Sequence, residues 1–521
     1  MLSLQTVASG LLAASLCVPV TAAPPFFNPF VQHNLAATLG PQLSPGASLY
    51  TKSDSDFAKH DERWTQWNAP TFSAVVEPAS EKDIVATIQY ATSNGIPFFA
   101  QGGGHGYSGT LSIIQNAIMI KLQTNFGSAL YNAHDKSVSV GGGAKYSVLA
   151  EAAYAAGREL TVGSCPCVGA VGGALSGGHG RLQGKHGLGL DALKSMRVVL
   201  ANGTALDVSA EKNVDLWWGM RGAGQNYGVV VSATFNTFPE TPGAMHYDGE
   251  LILDGTQLEE VFEILNEMVP TWPAGLAFDV LFAAFPGSLN PVIVLSMIYA
   301  GPKREAAQYT HRFAALKGSL MFSENMYTWA DLPFKAAGGS IAASCGTTKL
   351  RSTYSNNVRT FDPKIQRDAW NKYGEFLQAY PNANGTGVLW EIFGTQHVTE
   401  IPANASSYAF RDRVTMIGLL QFDYTDPSIL PGIEAYGKAW RQQSIGNSGW
   451  DDDKLYVYPN YARGDEPLDS LFGYEHWRIE KLRQLKREYD PTDAFRGYHD
   501  VWSHPGKDYH GNDRHGRGDL K

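Results

Sequence analysis

Three glycine-rich segments constrain this chain more than anything else in it. Residues 101–108 read Gln101-Gly-Gly-Gly-His105-Gly-Tyr-Ser108. Residues 163–180 run from Gly163-Ser-Cys165-Pro-Cys167-Val-Gly169 through Gly172-Gly173 to Ser176-Gly-Gly-His-Gly180, and residues 222–228 read Gly222-Ala-Gly224-Gln-Asn-Tyr-Gly228. Backbone without side chains lies close against a ligand or another strand and reaches positive φ, and its exposed amides cradle anionic groups. The first segment follows a predicted buried strand at 96–100, which puts His105 on a loop at the place where a ligand approaches. The second offers a thiol beside a run of amides, where a lowered thiol pKa is expected. The third looks superficially like a dinucleotide fingerprint, but its last spacing is wrong and it leads into an apolar strand at 229–235 instead of a helix.

The rest of the chain is ordinary globular sequence. Its 521 residues, 44% apolar and 17% charged, predict two or three packed units and exclude a disordered chain. The 12 Trp, 24 Tyr and 24 Phe suit a cavity for a flat ligand. A net charge of −9 leaves no broad basic field, so nucleic acid is excluded as a partner. The His residues of the C-terminal tail lack metal-ligand spacing, and no metal is expected.

The N-terminus reads as a cleaved signal peptide, residues 1–22. An apolar stretch at 7–20 precedes Thr21-Ala22-Ala23 and then Pro24-Pro25, although no Lys or Arg stands before it. It is too short to span a bilayer securely, so the chain is expected in the secretory pathway or outside the cell, with no membrane partner. Sequons at Asn202, Asn384 and Asn404 are candidate glycosylation sites on that route. Cys17 would leave with the signal, and the mature chain keeps Cys165, Cys167 and Cys345. Three is an odd number, and Cys165 and Cys167 are too close in sequence for ordinary disulfide geometry. At least one thiol needs another fate, a buried free cysteine or a covalent partner.

Periodicity predicts an α+β chain. A helix after Ser80, with Asp83 completing a capping pattern, ends at Gly95. A strand at 138–140 with a helix at 147–156 repeats the theme, and strands at 196–200 and 205–208 around Asn202-Gly203 predict a hairpin. Residues 50–242 form the predicted first domain. From 243 to 454, alternating strands at 278–285, 292–299 and 414–422 mix with helices near 256–268, 303–317 and 364–379, which predicts a second domain built on an antiparallel sheet with flanking helices. A helix at 475–489 stops at Asp490-Pro491 within a C-terminal segment, 455–505, and 506–521 reads as a disordered tail.

In order and spacing these motifs resemble the FAD-binding PCMH-type domain of the vanillyl-alcohol-oxidase superfamily, and within it the berberine bridge enzyme-like oxidoreductases. Gly103-Gly104-His105 resembles the loop whose His is bonded to the flavin 8α-methyl. Gly163-Ser-Cys165-Pro-Cys-Val-Gly169 resembles the segment whose first Cys is bonded to flavin carbon 6. The segment 215–229 resembles the one that closes the FAD domain. Tyr458-Pro-Asn-Tyr461 and Asp490-Pro491 with Phe495 resemble the terminal signatures, which would return the chain to the FAD domain. The resemblance implies an FAD domain in two α+β subdomains plus a substrate domain, with FAD held at His105 and Cys165. The cofactor contacts it implies are Gly102, Gly103, Gly104, Gly106, Ser108, Gly163, Ser164, Val168, Gly169, Gly172, Gly173, Gly177, Gly178, Gly228, Val229, Tyr458 and Asn460. Cys167 departs from the pattern, so an assignment of the linkage to this second cysteine, two residues on, has to be weighed against Cys165.

The same resemblance assigns the proton-accepting base to Tyr461. A phenol with a free pKa near ~10 needs help at neutral pH, from a nearby cation or from flavin contacts. Gln421 is a looser assignment as a substrate contact. Val168 occupies the position that resembles the family's oxygen gate, where a small side chain would leave O2 a path to reduced flavin. The implied partners are a small-molecule substrate and O2, with a monomer favoured. The expected activity is an H2O2-producing oxidase acting on a small organic metabolite; the alternatives are an oligosaccharide oxidase and a secreted, non-catalytic binding protein on the same scaffold.

Overall fold

In the computed structural model, residues 34–502 are described; the signal at 1–22 and the tail at 506–521 lie outside them. Three sheets carry the architecture. The first joins β1 (Ser48–Thr51), β2 (Phe72–Glu77), β3 (Phe98–Gln101) and β4 (Ala117–Lys121) in the order β1-β2-β4-β3, with the last two neighbouring pairs parallel. The second contains β5 (Ala129–Asn132) and β6 (Ser137–Gly141), and, beyond the short β7 (Arg158–Glu159), β8 (Leu193–Val199), β9 (Ala205–Ser209) and β10 (Val229–Asn236), in the antiparallel order β5-β6-β10-β8-β9. β7 pairs with β11 (Phe238–Pro239). The third is a seven-stranded antiparallel sheet of β12 (His246–Leu253), β13 (Leu276–Ala284), β14 (Pro291–Tyr299), β15 (Ser319–Tyr327), β16 (Leu350–Val358), β17 (Gly387–Phe393) and β18 (Met416–Tyr424), in the order β15-β12-β14-β13-β17-β18-β16. The chain is thus α+β, and the predicted hairpin is the β8–β9 pair.

Local chemistry explains the parts that place the loops. The helix Glu81–Ser93 begins where the Asp83 carboxylate accepts from the Ser80 amide at 2.8 Å and the Ala79 amide at 3.0 Å, satisfying donors that a helix start leaves open. Its Ile84, Ile88 and Ala91 pack into a core shared with Ala74, Val76, Ile118 and Ile120 of the first sheet. β3 runs from Phe98 to Gln101, two residues later than the periodicity at 96–100 suggested. Its pairing with β4 through Gln101↔Lys121 carries the chain to the brink of the first glycine loop.

The third sheet is two-faced because side chains alternate along a strand. On β13, Phe278, Val280 and Phe282 enter the core with Phe262, Trp370 and Trp390, and Phe282 meets Trp370 edge-on at 5.1 Å. Asp279, Leu281 and Ala283 therefore face the other way, into a large cavity. The C-terminal segment runs back across the first two sheets. Phe495 packs edge-on against Phe98 at 5.3 Å, Thr110 Oγ1 donates to the Gly497 carbonyl at 2.9 Å, and the buried Lys486 ammonium donates to the Asn226 carbonyl at 3.1 Å.

Candidate active site

The glycine loops, the inward face of the third sheet and the returning C-terminal segment enclose one cavity of about 640 Å³. The His105 and Cys165 loops touch backbone to backbone. A Cβ on Gly103 would lie 2.3 Å from the Gly169 amide nitrogen, and one on Gly169 would lie 2.6 Å from that of Gly103; only glycine at both positions lets the loops close this far. Gly104 adopts φ +72°, and its carbonyl accepts from the Trp64 amide at 3.1 Å. The result sets His105 Nε2 3.7 Å from Cys165 Sγ.

Cys167 does not compete for the same role, because it is bonded to Cys345 and leaves Cys165 as the free cysteine among the described residues. The odd thiol count is thereby resolved. The expected lowering of the Cys165 pKa is not what the structure shows: burial pushes the thiol up, against the opposing pull of the Cys167 and Val168 amides. His105 is pushed down to about 3, first by burial and then by the positive charges of Arg351, Lys145 and Arg63, so its imidazole is neutral. The imidazole stacks on Trp64 at 4.0 Å between ring centroids.

The site residues inferred from sequence divide into two groups. Gly102, Gly103, Gly104, His105, Gly106, Gly163, Ser164, Cys165, Val168, Gly169, Gly172, Gly173, Gly228, Val229, Tyr458, Asn460, Tyr461 and Gln421 all line the cavity. Ser108, Gly177 and Gly178 lie off it. The Ser108 hydroxyl accepts from the Thr110 amide at 3.3 Å and so caps a short turn, while Gly177 and Gly178 pack behind Tyr458, whose hydroxyl accepts from the Gly178 amide at 3.1 Å. Asn460 Nδ2 donates to the Gly173 carbonyl at 2.9 Å, tying the C-terminal segment to the second glycine loop. Of the sequons, Asn202 and Asn404 are exposed, whereas Asn384 is half-buried and borders the cavity.

Tyr461 ends the short turn Pro459–Tyr461, and its hydroxyl donates to Glu391 Oε2 at 2.8 Å. Of the two helpers expected, a cation or flavin contacts, the cation is not what stands at this hydroxyl: the phenol is raised well above 10.0 by burial and by Glu391. Glu391 is itself raised, by burial and by Asp279, its cross-strand partner on β13, and Asp279 is raised by burial. The nearby buried Arg181 pulls both back down. Two facing carboxyls of this kind do not both ionise readily at neutral pH.

The sheet face toward the cavity is ordered in transverse rows. Ser296, Asp279 and Glu391 are register neighbours, then Val294, Leu281, Leu389 and Leu419, then Gly387, Gln421 and Thr353. Sequence reasoning missed Trp64, Arg351, Asp279 and Glu391. The alternation on the strand at 278–285 marked Asp279 as facing away from the core, but nothing local marked the other three.

The residues present fit FAD. The amides of residues 103–108 donate to no acceptor among the described residues, which leaves a row of donors for phosphate or flavin oxygens in a cradle free of side chains. An FAD binding domain family model matches residues 72–209. The FAD-linked oxidoreductase azaL of Aspergillus niger is 32% identical over 462 residues, covering 87% of this chain and 96% of that protein. BBE-like 1 of Physcomitrella patens superposes with a TM-score of 0.77 at 20% identity, covering 91% and 99% of the two chains. Glucooligosaccharide oxidase of Acremonium strictum, described with a 6-S-cysteinyl, 8α-N1-histidyl FAD, superposes at 0.75 and 20% identity, covering 90% and 99%. Fold and site together define an FAD-dependent oxidoreductase. The chain belongs to the FAD-linked oxidoreductases, on the berberine bridge enzyme-like fold.

Proposed function

We propose that the protein is a secreted oxidase that holds FAD through both His105 and Cys165, removes a hydride from an alcohol or C–H bond of a small organic metabolite, and passes the electrons to O2 to give H2O2. The observation that carries this reading is the neutral imidazole 3.7 Å from the one cysteine that, among the described residues, is left outside the Cys167–Cys345 bridge. The resemblance assigns the two side chains to the 8α-methyl and to carbon 6, two positions of one ring of the flavin with carbon 7 between them, and both side chains line the same cavity.

FAD, when bound, supplies the two-electron acceptor. The chain handles the proton. With its pKa raised, Tyr461 does not rest as a phenolate; its oxygen accepts the substrate proton while its own O–H proton passes to Glu391. Glu391 has to be ionised to take that proton, a form that burial and the Asp279 charge beside it disfavour and that grows as pH climbs. Val168 borders the cavity three residues after Cys165 and leaves O2 room to approach.

The aliphatic row Val294, Leu281, Leu389 and Leu419 favours a substrate with an apolar body. An oligosaccharide is the second reading, favoured by the likeness to glucooligosaccharide oxidase; it lacks a row of aromatic rings on that sheet face for sugars to stack against. The test is an H2O2-release screen of the protein recovered from culture medium, across alcohols, sugars and polyketide-like metabolites. Acid precipitation of the same sample should leave the yellow colour on the polypeptide, and N-terminal sequencing should begin at Ala23. A colourless precipitate would remove the covalent linkage, slow reoxidation in air would make the enzyme a dehydrogenase, and turnover confined to sugars would select the second reading.

A further inference from the structure

Trp64 lies far from every glycine loop in sequence, yet it is the residue that His105 rests on. Their rings are 4.0 Å apart and 18° from parallel. The indole is pinned from several sides: its amide donates to the Gly104 carbonyl at 3.1 Å, and its ring nitrogen donates to the Ser344 carbonyl at 3.1 Å. The Arg351 guanidinium lies over the same indole at 4.1 Å. Arg351 is 1% exposed and fixed in turn. It donates to the Trp64 carbonyl at 2.7 Å, the Thr347 carbonyl at 2.8 Å and Thr347 Oγ1 at 2.6 Å, and it pairs with Asp423 at 3.0 Å. A strand of the seven-stranded sheet thus reaches across to set a side chain of the first glycine loop, and nothing in the proton relay uses this contact.

We propose that Trp64 and Arg351 are positioning residues for covalent coupling at His105: the indole fixes the plane of the imidazole, and the buried guanidinium holds a positive charge beside it. The proposal rests on the reading above that His105 bonds the flavin. In that coupling an imidazole N–H and one C–H of the flavin methyl give way to a C–N bond, and the two hydrogens with their electrons leave as H2O2 formed from dioxygen. The attacking nitrogen needs a free lone pair, which a protonated imidazole lacks. The groups facing His105 are Trp64, Cys165 and the cations Arg351, Lys145 and Arg63; after burial, Arg351 contributes most to holding the imidazole unprotonated. A flat stack also restricts rotation about the terminal ring torsion, so the nitrogen meets the flavin edge in one orientation.

The test uses the full chain, produced under riboflavin limitation and loaded with FAD in air from about pH 5 to about pH 8. Adducts at His105 and Cys165 are counted by peptide mass mapping, and folding is checked by thermal melt. Trp64→Leu should lower the His105 adduct about tenfold or more while the Cys165 adduct persists, and Trp64→Phe should restore it. Arg351→Met should couple well near pH 8 and poorly near pH 5, a pH dependence that wild type lacks. Coupling at His105 by folded Trp64→Leu and Arg351→Met that equals wild type at every pH would overturn the proposal, as would a Trp64→Phe variant as deficient as Trp64→Leu. If one variant does not fold, the other decides. A wild-type chain with no His105 adduct would instead sink the reading on which the proposal rests.

Discussion

At the scale of single residues, the decisive contact is the 2.8 Å hydrogen bond from Tyr461 to Glu391. It makes the tyrosine a relay with an acceptor behind it. Tyr461→Phe should keep covalently bound flavin and lower kcat by about 10²-fold or more, the usual scale for loss of general base catalysis; an unchanged kcat would remove it from the relay. Glu391→Gln should cost a similar factor and also flatten the pH profile. Because the carboxyl is raised above its ordinary 4.5 and works as the ionised form, the wild-type rate should climb with pH through a midpoint above that value. The stability effect has the opposite sign. A carboxyl protonated in the fold and ionised in the unfolded chain loses its contribution as pH rises above 4.5, so Glu391→Gln should melt higher than wild type at neutral pH.

Among the elements, β13 shows how one strand serves two tasks. Phe282 points away from the cavity into the cluster with Trp370 and Trp390, and Phe282→Ala should cost about 3–5 kcal/mol in denaturant unfolding while leaving KM close to wild type. Leu281, its neighbour, faces the cavity, and a polar replacement there should change KM for apolar substrates with little effect on stability. Most of these elements were legible in sequence. The helix after Ser80 was marked by its capping pair, the β8–β9 hairpin by Asn202-Gly203, and β14 and β18 by their apolar runs. The β3 boundary moved by two residues because its end is fixed by pairing with β4, a contact that no local pattern records.

For the whole molecule, the Cys167–Cys345 bridge joins the second glycine loop to the segment beside β16 across 178 residues of sequence. Closing so long a loop restricts the unfolded chain, so Cys345→Ser should lower unfolding free energy by about 2–5 kcal/mol. It should also free the Cys167 thiol, which alkylation under denaturing conditions followed by peptide mapping would detect. If the variant accepts flavin at Cys167 as readily as at Cys165, the bridge is what sets the register of the cysteinyl linkage. A single adduct at Cys165 in that variant would place the choice in the loop geometry alone.

The sequence by itself determined the glycine loops that carry His105 and Cys165, the terminal Tyr-Pro-Asn-Tyr and the two-faced strands, because each is written in neighbouring residues whose backbone freedom or alternation acts locally. It left Cys167 and Cys345 open, and it did not reveal the Glu391 carboxyl that accepts from Tyr461. Trp64, Arg351 and Glu391 stand 41, 246 and 286 positions from His105 in numbering, or on strands whose register is fixed only when the seven-stranded sheet closes. Only tertiary packing decided that a carboxyl stands behind the tyrosine and an indole beneath the histidine, since burial, charge and approach at those points come from chains brought together over long distances.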